Sequence, residues 1–240
     1  MADRPMLFSG PMVRALLDGT KTQTRRLCRL PQPTGPIIDM VKVATEAASG
    51  RSVYEMKDST GQHVDIRAGK YFVTPHYMPP VAVGDRLWVR ETWTARMTHG
   101  WTIADARSGW YPTEILYQAD GVKSIDGWWP SIHMPREFSR ITLTVTDVRV
   151  ERLKDCSAAD ALAEGVVEFF RGPERLGWPA AAPDDAIAAA SAYGIVGPVE
   201  MYRDLWESIN GPGSWAANPW VVAYTFTVQR GNIDQLARAA

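Results

Sequence analysis

The chain has 240 residues, 45% hydrophobic and 22% charged, with a formal net charge of −1. That length allows a sizeable core, the charge balance excludes the global basic field that drives non-specific DNA binding, and no apolar run approaches the ~20 residues of a membrane span. Two cysteines, Cys28 and Cys156, are too few for a disulfide framework, and the N-terminus lacks a signal-peptide pattern, so the expectation is a soluble cytoplasmic protein.

The first predicted element is a short helix beginning near Pro11, which suits a first helical turn. Met12, Ala15 and Leu16 share one face, and Gly19 stands where a helix stop wants φ > 0. Thr20-Lys21-Thr22-Gln23-Thr24-Arg25-Arg26 follows. A run so rich in hydroxyls and cations reads either as an anion or nucleotide site or as a solvated, β-prone connector. From Arg14 to Arg29 five basic residues face one acid, Asp18, so any nucleic acid would be bound locally.

Prolines make 31–36 a loop, and 52–56 and 70–74 read as strands within an insertion that decorates the core fold. Val83-Gly84-Asp85 is a turn signal before a strand over 86–93. Leu87, Val89 and Glu91 share one face of it, and Arg86, Trp88 and Arg90 the other. Glu91 thus continues an apolar row, either at the strand's open end or as a carboxylate held in a pocket. Residues 95–111 are irregular, and 114–121 is a strand entering an Asp-Gly turn. Trp128-Trp129-Pro130-Ser131-Ile132-His133-Met134-Pro135-Arg136 is excluded from regular structure by its prolines and must pack over a core or a bound ring.

Residues 140–146 alternate cleanly, and the parity slips at Asp147, which predicts a bulge. Residues 157–165 form a short helix with Ser157 as N-cap, Asp160 at the capping-box position and Gly165 as stop. The Gly, Pro and Ala-rich stretch 171–198 reads as an insertion with a helix over 184–192. Residues 199–210 give the strongest helix, with a stripe of Tyr202, Leu205, Trp206 and Ile209 ended by Gly211-Pro212. The last strand, 220–228, is apolar on both faces at first and therefore central.

His63, His76, His99 and His133 fall singly, so neither a metal site nor any other cofactor is expected. No GxSxG elbow, P-loop or GxGxxG occurs. Hydroxyl chemistry without histidine remains. Thr24 needs a base, and Lys21 can serve if burial or the cations Arg25 and Arg26 push its pKa down. In a flat strand residues three apart point to opposite faces, so this pair converges only if the chain turns.

Gly19-Thr20-Lys21-Thr22-Gln23-Thr24-Arg25-Arg26 resembles the G-x-K-T-x-T-x-R signature of ASCH domains, small β-barrels of the PUA-like superfamily. Gly84-Asp85 leading a strand, Ser157 to Gly165 (close to [ST]-x-x-x-A-x-x-E-G), and a late helix with a closing strand follow in the family's order. The whole looks most like the long ASCH proteins of phages and prophages. The resemblance implies one α+β domain over 1–240, a PUA-like mixed β-barrel with peripheral helices and loop insertions near 31–80, 94–113 and 168–198. Some small ASCH proteins remove the acetyl group of N4-acetylcytidine with a lysine, a threonine and a glutamate. By motif these fall on Lys21, Thr24 and Glu164, with Thr24 as nucleophile, Lys21 as base and Glu164 assisting the leaving amine. Glu164, at a helix C-terminus, is unfavourably placed against the dipole unless paired, and a catalytic or a merely structural salt bridge to Lys21 or Arg26 would supply the partner. Arg25, Arg26, Arg90, Glu91, Trp129, His133 and Arg136 are the expected nucleotide-binding residues. The implied partner is RNA or a modified nucleoside, and the alternatives are a ribonuclease or a non-enzymatic phage protein that binds a host partner.

Overall fold

A computed structural model describes residues 2–30, 37–64, 66–68, 71–73, 76–96, 102–108, 114–124, 127–166 and 197–236. In chain order the elements are β1 (Asp3–Leu7), α1 (Gly10–Leu17), β2 (Gln23–Leu27), β3 (Asp39–Thr45), β4 (Ser52–Lys57), β5 (Ile66–Ala68), β6 (Tyr71–Val73), β7 (His76–Tyr77) and β8 (Arg86–Arg90). They continue with β9 (Trp93–Ala95), α2 (Ile103–Arg107), β10 (Ile115–Tyr117), β11 (Ile141–Arg152), α3 (Ala158–Ala163), α4 (Pro198–Asn210) and β12 (Trp220–Arg230). The class is α+β, with strands predominating.

The long antiparallel pair β11–β12 is the spine of a five-stranded sheet of order β1-β8-β11-β12-β2, in which only β1–β8 is parallel. The register of β11 shifts between Val145 and Asp147, so the slip in hydrophobic parity is a bulge, as the sequence predicts. β12 lies between two strands and its first five residues are all buried, which is why it is apolar on both faces. The outer strands β1 and β2 are not paired with each other, and the described sheets do not close into a barrel. One guanidinium crosses between those edges: Arg26 Nη2 donates to the carbonyl of Leu7 at 2.7 Å.

Both helix ends that matter for the site follow from local sequence. α1 begins at Gly10 with Pro11 in its first turn and buries Val13, Ala15 and Leu16, and Gly19 takes φ 75° just beyond it. α3 is closed by a Ser157/Asp160 capping box and ends at Glu164 before Gly165, at φ 76°. α4 buries Met201, Tyr202, Leu205 and Trp206 against α3, Leu153 and Val221. Ile209 departs from the expected stripe and is 57% exposed.

Other expectations need correction. The expected strand over 52–56 is β4, but it belongs to a sheet β3-β4-β7 that the sequence did not suggest, and Met40, Tyr54, Met56 and Tyr77 enter the same core as Leu87, Ile141 and Phe226. β3 escapes the sequence pattern because Met40 is its one buried residue. The irregular stretch after Ala95 holds α2, closed by a Thr102/Asp105 capping box. The loop over 128–136 includes a 3₁₀ turn at Ser131–His133, with another at Arg136–Phe138 beyond it, and it packs on a third cluster around Trp93 and Met134. The expected helix over 184–192, with nearly all of the 168–198 insertion, lies outside the described residues.

Candidate functional site

The Thr/Lys/Arg run after Gly19 is fixed by backbone before its side chains act. Lys21 N–H donates to Ala15 O at 3.0 Å, Thr22 N–H donates to Ala163 O at 2.9 Å, and Lys21 forms an isolated bridge with Glu164. The end of α1 and the end of α3 are thereby tied together. Gly165 makes this possible, because a Cβ there would lie 2.8 Å from Ala15 Cβ and 2.9 Å from Lys21 Cβ.

From this junction the side chains build a buried ionic cluster. Lys21 is wholly buried, Glu164 is 3% exposed and Arg25 4%. Lys21 Nζ donates to Glu164 Oε2 at 2.9 Å and to the Glu164 carbonyl at 2.8 Å, which supplies the partner that a carboxylate at a helix C-terminus needs. Arg25 Nη1 donates to Gln23 Oε1 at 2.6 Å and to Glu164 Oε1 at 3.3 Å. Arg25 Nε and Nη2 both reach Glu151 Oε1, at 3.0 and 2.7 Å, and Nη2 stands 3.3 Å from Asp160 Oδ2. Burying ions costs several kcal/mol each, so such a cluster persists only when its hydrogen-bonding groups are matched, as they are here.

Burial pushes the Lys21 amine below its ordinary pKa, against the opposing pull of Glu164 and with help from the charges of Arg26 and Arg25. Burial alone would raise Asp160, but hydrogen bonds from Ser157 and Arg149 and the nearby charge of Arg25 hold it well below the usual carboxylate range. Burial pushes the thiol of Cys156 up to about 12, opposed only partly by Arg25, so it carries no thiolate at neutral pH.

In front of this cluster opens a cavity of about 1010 Å³ between the edges of β1 and β2, walled by α4, β12 and the segment after β7. Thr24, Arg25, Arg26 and Glu164 line it, with Arg4 and Arg29 adding two further guanidiniums. Tyr77, Tyr202, Trp206 and Tyr224 add aromatic wall. Four arginines against a single carboxylate make it a basic cleft, with aromatic surface interleaved. Three lining residues carry a buried N–H with no hydrogen-bond acceptor among the described residues: Arg4 Nε, Arg26 Nε and Trp206 Nε1. Leaving such a group unpaired costs about 1–3 kcal/mol.

Of the expected catalytic set, Thr24 and Glu164 share the cavity lining, while Lys21 lies directly behind Glu164. Arg25 and Arg26 belong to the same lining. Five expected nucleotide-binding residues are absent from it, and four of these are engaged elsewhere. Arg90 donates through Nε and Nη2 to Met134 O. Glu91, 1% exposed, accepts a bidentate pair from Arg140 at 2.9 and 3.0 Å, so it is a held carboxylate, but its holder is Arg140. Trp129 stacks at a tilt on Trp93 with 4.6 Å between ring centroids. His133 sits in a 3₁₀ turn of that loop, and Arg136 pairs with Asp3 and Asp234. The loop over 128–136 therefore covers a core.

Arg4, Arg29, Tyr77, Tyr202, Trp206 and Tyr224 were not anticipated as wall residues. Arg29 ends the basic run and could have been read from it, whereas Tyr77 reaches the cleft only through the unforeseen β3-β4-β7 sheet. Among the described residues no group of His, Cys, Asp and Glu is arranged to hold a metal ion, and no helix is long and apolar enough to cross a membrane. Compared with protein-family models, curated proteins and solved structures, the chain matches none.

Proposed function

We propose that the cleft binds RNA or a modified nucleoside, in a PUA-like pseudo-barrel whose open side, between β1 and β2, is the binding site. One observation carries this reading. Thr24 and Glu164 stand in one cavity with four arginines and four aromatic side chains. A nucleotide-like ligand offers ring faces to the aromatics, carbonyl and phosphate acceptors to the arginines, and amino groups to the carboxylate. Titration with a panel of nucleosides and short single-stranded RNAs tests it. Absence of binding across the panel sinks the reading.

A second reading, hydrolysis of an N-acyl nucleoside such as N4-acetylcytidine, is favoured by the 2.9 Å contact of Lys21 with Glu164, a carboxylate that lines the same cavity as Thr24. Thr24 Oγ1 would attack the acyl carbonyl while Lys21 takes its proton. Glu164, hydrogen-bonded to Lys21, would relay a proton to the departing nucleobase amine, and water would then cleave the acyl-threonine to acetate and free hydroxyl. Burial moves Lys21 toward the neutral form that such a base requires.

A further inference from the structure

The four cleft arginines differ in what neutralises them. Arg25 is held by Glu151 and Glu164 and stands 3.3 Å from Asp160, so its charge serves the protein. Arg26 has no carboxylate partner among the described residues: Nη2 donates to the Leu7 carbonyl, its guanidinium lies 5.3 Å from the Phe8 ring centroid, and Nε has no acceptor. Arg29 is exposed and forms no ion pair among the described residues. Arg4 is little better matched. Its Nε stands 4.0 Å from Asp85 Oδ2 and makes no hydrogen bond, while the Asp85 carboxylate already accepts from Ala2 N–H at 2.6 Å and Ala82 N–H at 3.0 Å.

We infer that Arg4, Arg26 and Arg29 form a phosphate site along the two sheet edges, so that the ligand of the cleft is a phosphate ester of a nucleoside rather than the nucleoside itself. The assignment rests on the nucleotide-binding reading above and adds the anionic group to it. Three under-neutralised guanidiniums in one cleft create a local positive field that an uncharged nucleoside leaves unanswered. Guanidinium forks match phosphate oxygens in geometry as well as charge. Glu164 repels an anion, which orients the ligand with its uncharged base toward Glu164 and its phosphate toward the arginines. The cavity, about 1010 Å³, is at the top of the ~300–1,000 Å³ range of small-molecule clefts and has room for the added group. The phosphate could be the terminal group of a mononucleotide or the phosphodiester of a strand, and the chemistry of recognition is shared.

Calorimetric titration of the full chain with cytidine, cytidine 5′-monophosphate and a cytidine trinucleotide lacking terminal phosphates separates these sources. The two phosphate-bearing arms test the site, and whichever binds more tightly identifies the source. A phosphate-bearing ligand should bind about tenfold or more tightly than cytidine. Its log affinity should fall as log salt rises, while cytidine binding stays flat. Arg29→Ala, at an exposed position that the fold tolerates, should bring the ratio of phosphate-bearing to cytidine affinity toward one and reduce the slope, and Arg4→Ala should act in the same direction. Equal, salt-independent affinities, or a ratio unmoved by both substitutions, overturn the phosphate site while leaving a nucleoside cleft intact. Failure of all three ligands to bind overturns the nucleotide-binding reading together with it.

Discussion

The Lys21 ammonium donates to both the carboxylate and the backbone carbonyl of Glu164, at 2.9 and 2.8 Å, from a position with no solvent exposure. One side chain thus ties the segment after α1 to the end of α3 and also sets the carboxylate at the cavity wall. Lys21→Met removes the ammonium and leaves Glu164 with Arg25 at 3.3 Å. It should lower stability by about 3–5 kcal/mol, the usual cost of breaking a buried pair. The double variant Lys21→Met/Glu164→Gln should lose less than the sum of the two single variants, because neither buried charge is then left alone. Urea unfolding of the four proteins gives the cycle, and additive losses would show that the two residues act independently.

Gly165 is where the same junction depends on the absence of a side chain. Its φ of 76° already disfavours other residues, and an added Cβ would meet Ala15 and Lys21 at under 3 Å. Gly165→Ala should cost about 2–4 kcal/mol, combining the left-handed backbone penalty with overpacking. Gly121→Ala is the control, since it shares the left-handed backbone, at φ 72°, but has nothing within 4 Å. Thermal unfolding should show the smaller loss at Gly121, and equal losses would mean that close approach at the junction contributes nothing.

Sequence reading succeeded where one local rule decides. The Ser157/Asp160 capping box, the positive φ of Gly19 and Gly165, and the parity slip at Asp147 are each written in a few adjacent residues, and each stands in the structure as expected. It failed where long-range packing decides. Glu91 continues an apolar row, which marks burial correctly, but nothing local names Arg140 as its partner 49 positions away. Trp129 and His133 carry the side chains of a binding loop, and only the fold shows that the loop covers Trp93 and Met134. The joining of Lys21 to Glu164 was open to inference because a carboxylate at a helix C-terminus demands a cation. The cleft's aromatic wall was not, since Tyr77, Tyr202 and Tyr224 come from three separate elements.

Asp160 gives the cluster a defined acid response. Its carboxylate accepts from Ser157 Oγ, Gln23 Nε2 and Arg149 Nη2, at 2.7, 3.2 and 2.7 Å. Burial would raise its pKa, but the Ser157 and Arg149 hydrogen bonds and the charge of Arg25 hold the folded value below the unfolded ~3.9. A depressed carboxylate contributes stability that is fully present above the unfolded pKa and is lost as pH falls through the folded one. Asp160→Asn should therefore be less stable than wild type at neutral pH, with the gap narrowing only below about pH 4. Chemical denaturation across the acid range measures the gap, and one that stays constant to the lowest pH would show that ionisation of Asp160 does not contribute.

Thr24 separates binding from catalysis. It is buried in β2, paired with Tyr224 in register, and lines the cleft beside Glu164. If it is a nucleophile, wild-type protein should release cytidine from N4-acetylcytidine, and Thr24→Ala should reduce kcat at least about a hundredfold while leaving the affinity for the product nucleoside near that of wild type. Thr24→Ser keeps the hydroxyl and should retain much of the rate, because the reacting oxygen survives although its rotamer is freer. Rapid quenching of the wild-type reaction should recover protein heavier by one acetyl group, and Thr24→Ala should show none. If wild type binds cytidine but turns over no acylated nucleoside, the hydroxyl is a wall group of a binding cleft, and the Lys21–Glu164 pair is then there to hold the cleft open in the right shape.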